Sequence, residues 1–293
     1  MKVGVDFGGT RIKAGRVEGG RVVQAAVTDT RAGAAPGEIL DQIAASVSEL
    51  GALTSDVGVA IPGEVDAEGR CYRLPNVPGF EGVNIAAELG VRLGRQVLVE
   101  NDSTTAALGE LHFGHGRSYR SFLVLTLGTG VGGGLVLGGR LHRGAHGFAA
   151  EVGHVVIDTS AAALPCVCGQ KGCMETMAGT RGLLTRYQEL SGEAVGEPRA
   201  IGERAARGEA AARQTFADMG RALGAALAMV QNVLDLEALV FTGGISRAFE
   251  HIEPSLRTTL VARAFGAPAA HVPLLVSELG ENAGVLGAAM LGE

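Results

Sequence analysis

Val3-Gly4-Val5-Asp6-Phe7-Gly8-Gly9-Thr10-Arg11-Ile12-Lys13 opens with an apolar run, turns on two glycines and resumes an apolar pattern. Val3–Asp6 is expected to be a short buried strand and Ile12–Val17 the next, with Phe7–Thr10 as the turn between them. A turn this tight, built from Gly8, Gly9 and Thr10, offers backbone N–H groups and a hydroxyl to phosphate oxygens. Asp6, at the strand end, is placed to hold Mg²⁺ through water, and Lys13 to offset phosphate charge. The same stretch also suits an ordinary Gly-Gly hairpin with a capping Thr, and by itself it does not choose.

Outward from this stretch the pattern is that of an α/β chain. Gly19-Gly20 turns into Val22–Val27. Pro36–Leu50 is expected to be helical, with Ile39, Leu40, Ile43, Val47 and Leu50 on one face. Val57–Ile61 and Val97–Glu100 are expected strands, and Ser103–Leu111 a short helix. A second block repeats the character of the first: strands at Phe122–Leu127 and Gly134–Leu137, a Gly138-Gly139 turn, a long helix over 209–234 and strands at Ala238–Phe241 and Leu274–Val276. Ala283–Leu291 closes the chain as a helix. Strands with helices, given twice, imply two α/β domains with a boundary near 110–120.

Two more glycine loops follow strands. Gly128-Thr129-Gly130-Val131-Gly132-Gly133 contains a formal G-x-G-x-x-G, but it feeds a glycine-rich hairpin instead of opening a helix, so it does not fit a dinucleotide fold. Its lack of bulky side chains still suits close approach to an anion. Thr242-Gly243-Gly244 ends a buried strand, where open α/β sheets bind ligands and where routine strand-to-helix turns also occur. No Walker A sequence is present.

Cys166-Val167-Cys168 and Cys173, with His154 upstream, make one imidazole and three thiolates, the donor set of a closed tetrahedral zinc site. A disulfide is the competing use of such cysteines. Cys71 stands apart as a small buried side chain. Glu100-Asn101-Asp102 ends one strand and starts a helix, so Asp102 is either a helix cap or a general base that takes a proton from a substrate hydroxyl.

The bulk numbers limit the function. The 293 residues suit roughly two domains of about 150 residues. A net charge of −6 without a basic run disfavours nucleic acid as a partner. No apolar stretch approaches the roughly 20 residues of a membrane helix, and no signal-peptide pattern precedes Val3, so a soluble, cytoplasmic protein is expected.

In this order the motifs resemble the ROK family of sugar kinases, and the resemblance covers essentially the whole chain. Asp6–Lys13 looks like the family's first phosphate loop and Gly128–Gly134 like its second. Glu151-Val152-Gly153-His154, followed by Cys166–Cys173 and Glu175, is similar to its zinc and sugar motif, and Glu100-Asn101-Asp102 to its catalytic segment. The resemblance implies two ribonuclease-H-like domains of the actin-like ATPase and hexokinase architecture, with an interdomain cleft. The first would span 1–115, joined by the closing helix 280–293, and the second 116–279. It implies an ATP-dependent hexose kinase with Mg²⁺ and a structural Zn²⁺, glucose to glucose 6-phosphate being the expected reaction. Fructose, N-acetylmannosamine and N-acetylglucosamine are the alternative substrates.

By the same resemblance Asp102 is the catalytic base. Gly63, Asn76, Asn101, Asp102, Glu151, His154 and Glu175 would contact the sugar. Asp6, Gly8, Gly9, Thr10, Lys13, Gly128, Thr129, Gly130, Gly132, Gly243 and Gly244 would contact the nucleotide and its metal. His154, Cys166, Cys168 and Cys173 would hold zinc. A homodimer or homotetramer is implied. The family's sugar-responsive repressors carry a winged helix ahead of the first phosphate loop, which here begins at Asp6, so that class is not expected. Two positions depart from the pattern: Ala150 stands before Glu151 where the family usually has Gly, and Phe80 where a Trp is frequent.

Overall fold

A computed structural model describes residues 2–52 and 55–293. Its first half contains β1 (Lys2–Phe7), β2 (Arg11–Glu18), β3 (Arg21–Asp29), α1 (Pro36–Ser48), β4 (Val57–Ile61), β5 (Glu64–Val65), β6 (Cys71–Arg73), α2 (Ile85–Leu93), β7 (Val97–Asn101) and α3 (Asp102–Phe113). Then come β8 (Phe122–Leu127), β9 (Val131–Leu137), β10 (Arg140–His142), α4 (Glu175–Ala178), α5 (Thr180–Ser191), α6 (Pro198–Ala206) and α7 (Ala210–Leu234). The chain ends with β11 (Ala238–Thr242), α8 (Phe249–Arg263), α9 (Ala267–Ala270), β12 (Leu274–Val276) and α10 (Ala283–Ala288).

Two five-stranded sheets have the same plan. The first runs β3-β2-β1-β4-β7 and the second β10-β9-β8-β11-β12, so each is ordered 3-2-1-4-5 within its own set. In the first, β1, β2 and β3 pair antiparallel, whereas β4 pairs parallel with both β1 and β7. In the second, β11 lies parallel between β8 and β12. Hairpins connect the antiparallel strands and helices carry the parallel crossovers, as parallel pairing demands. This twice-used plan is that of the two-domain actin-like ATPase fold.

The first sheet is covered on both faces. All five residues of β4 are buried, the run expected of a central parallel strand. Ile39, Leu40, Ile43 and Val47 of α1 pack against it with Val5, Phe7, Ile12, Val59 and Ile61. Each such side chain contributes about 1.5–3 kcal/mol when fully buried. Phe80 joins this core with its ring 5.9 Å from that of Phe7. The other face carries α10, whose backbone comes so close to β1 and β4 that a Cβ on Gly4 or Gly58 would collide with the carbonyl of Val285 or Ala288. Only glycine tolerates such backbone-to-backbone contact.

By packing, the chain forms two compact units: Met1–Arg120 with Gly134–Ala149 and Glu278–Glu293, and Ser121–Gly133 with Ala150–Ser277. Residues 134–149 fall in the first unit, unlike the boundary read from sequence; Gly134 packs on the backbone of Ser103 and Thr104 in α3. β9 begins at Val131, not Gly134: the glycines at 132–134 are strand residues, and Gly133 and Gly134 sit at close backbone contacts. Among the described residues no helix is long and apolar enough to cross a membrane.

Candidate active site and metal centre

In the first unit the expected residues gather around the carboxyl ends of β1, β4 and β7. Asp6 stands opposite Lys13 in the β1–β2 register. Burial pushes its carboxyl up, tempered by the charges of Lys13 and Arg11. Lys13 Nζ donates to Asn282 Oδ1 at 2.7 Å and to the Glu281 carbonyl at 3.3 Å, so its ammonium is tied to the segment that leads into α10. The turn between the strands is closed by Gly8 N–H on the Arg11 carbonyl at 2.8 Å. Thr30, at the end of β3, braces it twice: its hydroxyl donates to the Gly8 carbonyl at 2.7 Å, and its N–H to the Thr10 carbonyl at 2.8 Å. Asn76, exposed, lies directly against Gly9.

At the end of β7, Asn101 caps α3. Its Oδ1 accepts the N–H groups of Ser103 and Thr104 at 2.9 and 3.1 Å, and its Nδ2 donates to the Gly63 carbonyl at 3.1 Å. Asp102 is thereby the first helical residue, half-buried, and accepts the Ser103 hydroxyl at 3.1 Å. Behind it Glu100 is buried. Burial raises its carboxyl, while Arg143, with Nε 2.7 Å away, and the Asn101 N–H at 2.8 Å pull it down.

In the second unit, the loops that follow β8 and β11 leave the same end of the sheet, where Thr126 and Thr242 are in register. Gly243, at φ 90°, packs its Cα on the Leu127 backbone, which joins the two loops at their bases. The Gly128 carbonyl accepts both the N–H of Thr180, at 3.0 Å, and its hydroxyl, at 2.9 Å. Glu175 Oε2 accepts the Val131 N–H at 2.9 Å, and Gly130 leaves room for that carboxylate. Thr129 is exposed at the loop tip. Gly132 lies in β9 instead of the loop.

Glu151 is the centre of a tight turn, φ −69° and ψ 50°, closed by the Val152 N–H on the Ala150 carbonyl at 2.6 Å. Those angles are those of an inverse γ-turn. The turn interlocks with the second glycine loop. A Cβ on Gly133 would strike the Ala150 carbonyl, and one on Gly153 the Val131 carbonyl. Ala150 has φ 70°, the left-handed region that non-glycine residues avoid. That geometry accounts for the Gly of the family pattern and leaves the Ala here in strained backbone.

The ligating atoms of His154, Cys166, Cys168 and Cys173 all lie within 4.8 Å of one another. Cys166 Sγ is 3.5 Å from His154 Nδ1, and Cys168 Sγ is 3.7 Å from Cys173 Sγ. A tetrahedron with Zn–S of about 2.3 Å and Zn–N of about 2.0–2.1 Å has S···S edges of about 3.8 Å and N···S edges of about 3.6 Å. The donor set and its spacing therefore fit a closed zinc site. All four cysteines are free, and 3.7 Å is far beyond a disulfide of about 2.05 Å.

Sequence reading missed Thr30, Arg143, Thr180 and Asn282. Each acts on a residue far away in the chain, and none carries a local signal of its own.

The ROK family model matches residues 2–293. The chain is 33% identical to a glucokinase of Thermotoga maritima, covering 99% of this chain and 96% of that protein. It is 32% identical to an N-acetylgalactosamine kinase of a Shewanella species, covering 100% and 96%. The crystal structure of a ROK family glucokinase from Streptomyces griseus, in complex with glucose and AMPPNP, superimposes with TM-score 0.85 at 32% identity, covering 98% of this chain and 97% of that one.

Proposed function

Because the chain belongs to the ROK family, we propose that it is an ATP-dependent hexose kinase in which Asp102 takes the proton from the sugar hydroxyl. The observation that carries this reading is the division of labour at the start of α3. Asn101 supplies the cap, and Asp102 supplies a carboxylate on the first turn beside it. The sugar O–H proton passes to the Asp102 carboxylate as the sugar oxygen forms a bond to the γ-phosphorus. The bond from that phosphorus to the bridging oxygen breaks, and ADP leaves. Phosphoryl transfer requires mainly positioning and charge neutralisation, so one base and anion-binding loops suffice.

In this reading the Gly8–Thr10 and Gly128–Gly130 loops and the Gly243-Gly244 turn hold the nucleotide. Asp6 would hold Mg²⁺, which neutralises charge developing on the phosphates. Gly63, Asn76, Asn101, Glu151, His154 and Glu175 contact the sugar. His154 turns Nδ1 to the cysteines, and in this reading its Nε2 serves a sugar hydroxyl. His154, Cys166, Cys168 and Cys173 would hold zinc in a closed shell with no position for substrate, so the metal would serve to brace the Pro165–Glu175 segment.

Glucose is the favoured sugar, given the glucokinase relatives and the glucose complex. The N-acetylhexosamine kinases among the relatives support the second reading. A cytoplasmic location and a homodimer or homotetramer complete the proposal. The test is ADP release from Mg-ATP across a panel of hexoses and N-acetylhexosamines. Release that depends on a sugar is expected, greatest with glucose; no sugar-dependent release with any of them sinks the proposal.

A further inference from the structure

Glu175 connects two features that the kinase reading treats separately. It follows Cys173 by two residues, and the Met174 N–H is fixed on the Val155 carbonyl at 2.9 Å. Its Oε1 lies 3.8 Å from Cys166 Sγ, while its Oε2 receives the Val131 N–H at 2.9 Å. Five residues on, Thr180 holds the Gly128 carbonyl through both its N–H and its hydroxyl. The loop from Gly128 to Val131 is thus anchored at its entry by Thr180 and at its exit by Glu175, both from the segment that the cysteines start.

We propose that Glu175 is a positioning residue for the nucleotide-phosphate loop, setting the path of Gly130 and Val131 by its hydrogen bond to the Val131 amide and so coupling that loop to the cysteine cluster. The assignment rests on the kinase reading and adds to the sugar contact proposed for the same carboxylate, which has acceptor sites for both. Val131 is buried, and Gly130 has no Cβ because the carboxylate fills that space. Removing the acceptor would leave a shielded N–H unpaired and release the glycine that follows the exposed loop tip.

The test measures Mg-AMPPNP binding calorimetrically without sugar, and glucose binding without nucleotide, for wild type, Glu175→Gln and Glu175→Asp. Gln keeps an acceptor at the same reach, so its nucleotide affinity is expected within about twofold of wild type. Asp is one methylene shorter and cannot span to Val131; its nucleotide affinity is expected to fall about tenfold or more, with KM for ATP rising more than kcat falls. Wild-type affinity in the Asp variant overturns the proposal, and so does an equal loss in the Gln variant. Amide exchange at Val131 in the wild-type protein gives a separate reading: strong protection is expected, and rapid exchange overturns it. If wild type binds no Mg-AMPPNP, the kinase reading falls and takes this proposal with it; if only the variants behave otherwise than stated, the kinase reading stands.

Discussion

Asn101 and Asp102 share the start of one helix but not one task. The Asn101 side chain accepts two helix amides at 2.9 and 3.1 Å and ties the helix to Gly63, whereas Asp102 occupies the first helical position beside it. The two substitutions should therefore weigh differently on stability and turnover. Asn101→Ala is expected to cost about 1 kcal/mol of unfolding free energy through loss of the cap. Asp102→Asn is expected to keep the fold within about 0.5 kcal/mol, since Asn retains an acceptor for the Ser103 hydroxyl while the change removes a favourable charge at the helix start. It should lower kcat by about 10²–10⁴ while glucose still binds. Denaturant titration and steady-state kinetics on both variants check this; near-normal kcat in Asp102→Asn would remove it from the base role.

The cysteine cluster makes a chemical prediction. Metal analysis of untagged protein is expected to find one zinc per chain, and Cys168→Ser to lose it. In a zinc site binding energy is folding energy, so chelation should lower the melting temperature and loosen the 165–175 segment to proteolysis. A full complement of zinc in Cys168→Ser would contradict the ligand assignment.

Much of this was legible in the sequence, for reasons that differ between residues. The helix face Ile39, Leu40, Ile43, Val47 and the buried run Val57–Ile61 follow from periodicity and from local composition. The Cys166–Cys173 spacing limits the chemistry to a few outcomes by itself. What local pattern cannot carry is a partner distant in the chain. Thr30 bonds to Gly8 22 residues away, Glu175 to Val131 44 away, and Thr180 to Gly128 52 away. The role of Asp102 was open for a related reason. Either member of Asn101-Asp102 satisfies the preferences of a cap, and only the geometry assigns the task to Asn101.

Glu100 and Arg143 predict a pH dependence. Burial raises the folded carboxyl above its unfolded value, so the folded state binds a proton more readily in that range. Stability from this group is then greatest when it is protonated and declines as pH rises through the folded pKa. Arg143 limits the decline by pairing with the carboxylate. Arg143→Met should therefore lose less stability at pH 5 than at pH 8. The deficit at pH 8 is about 1–2 kcal/mol, below that of a fully buried pair because Arg143 is half exposed. Urea unfolding at both pH values tests the sign; an equal deficit at both would point to packing instead of charge.

Ala150 offers a test within one dipeptide. Its φ of 70° places a side chain in left-handed backbone, while Ala149 beside it is not among the residues at positive φ. Left-handed geometry costs a non-glycine residue about 1–2 kcal/mol, and introducing Gly costs about 0.4–1 kcal/mol through the unfolded chain. Ala150→Gly should then gain about 0.5 kcal/mol, whereas Ala149→Gly, with no strain to relieve, should lose about 0.4–1 kcal/mol. The Glu151 turn is closed by the Ala150 carbonyl and clamped by Gly133, neither of which depends on the Ala150 side chain. KM for glucose is therefore expected within about twofold of wild type in Ala150→Gly, since one pKa-sized step of 1.4 kcal/mol would be tenfold. A destabilised Ala150→Gly, measured against Ala149→Gly under the same conditions, would mean that this backbone is held without strain and that the Ala150 methyl contributes by packing.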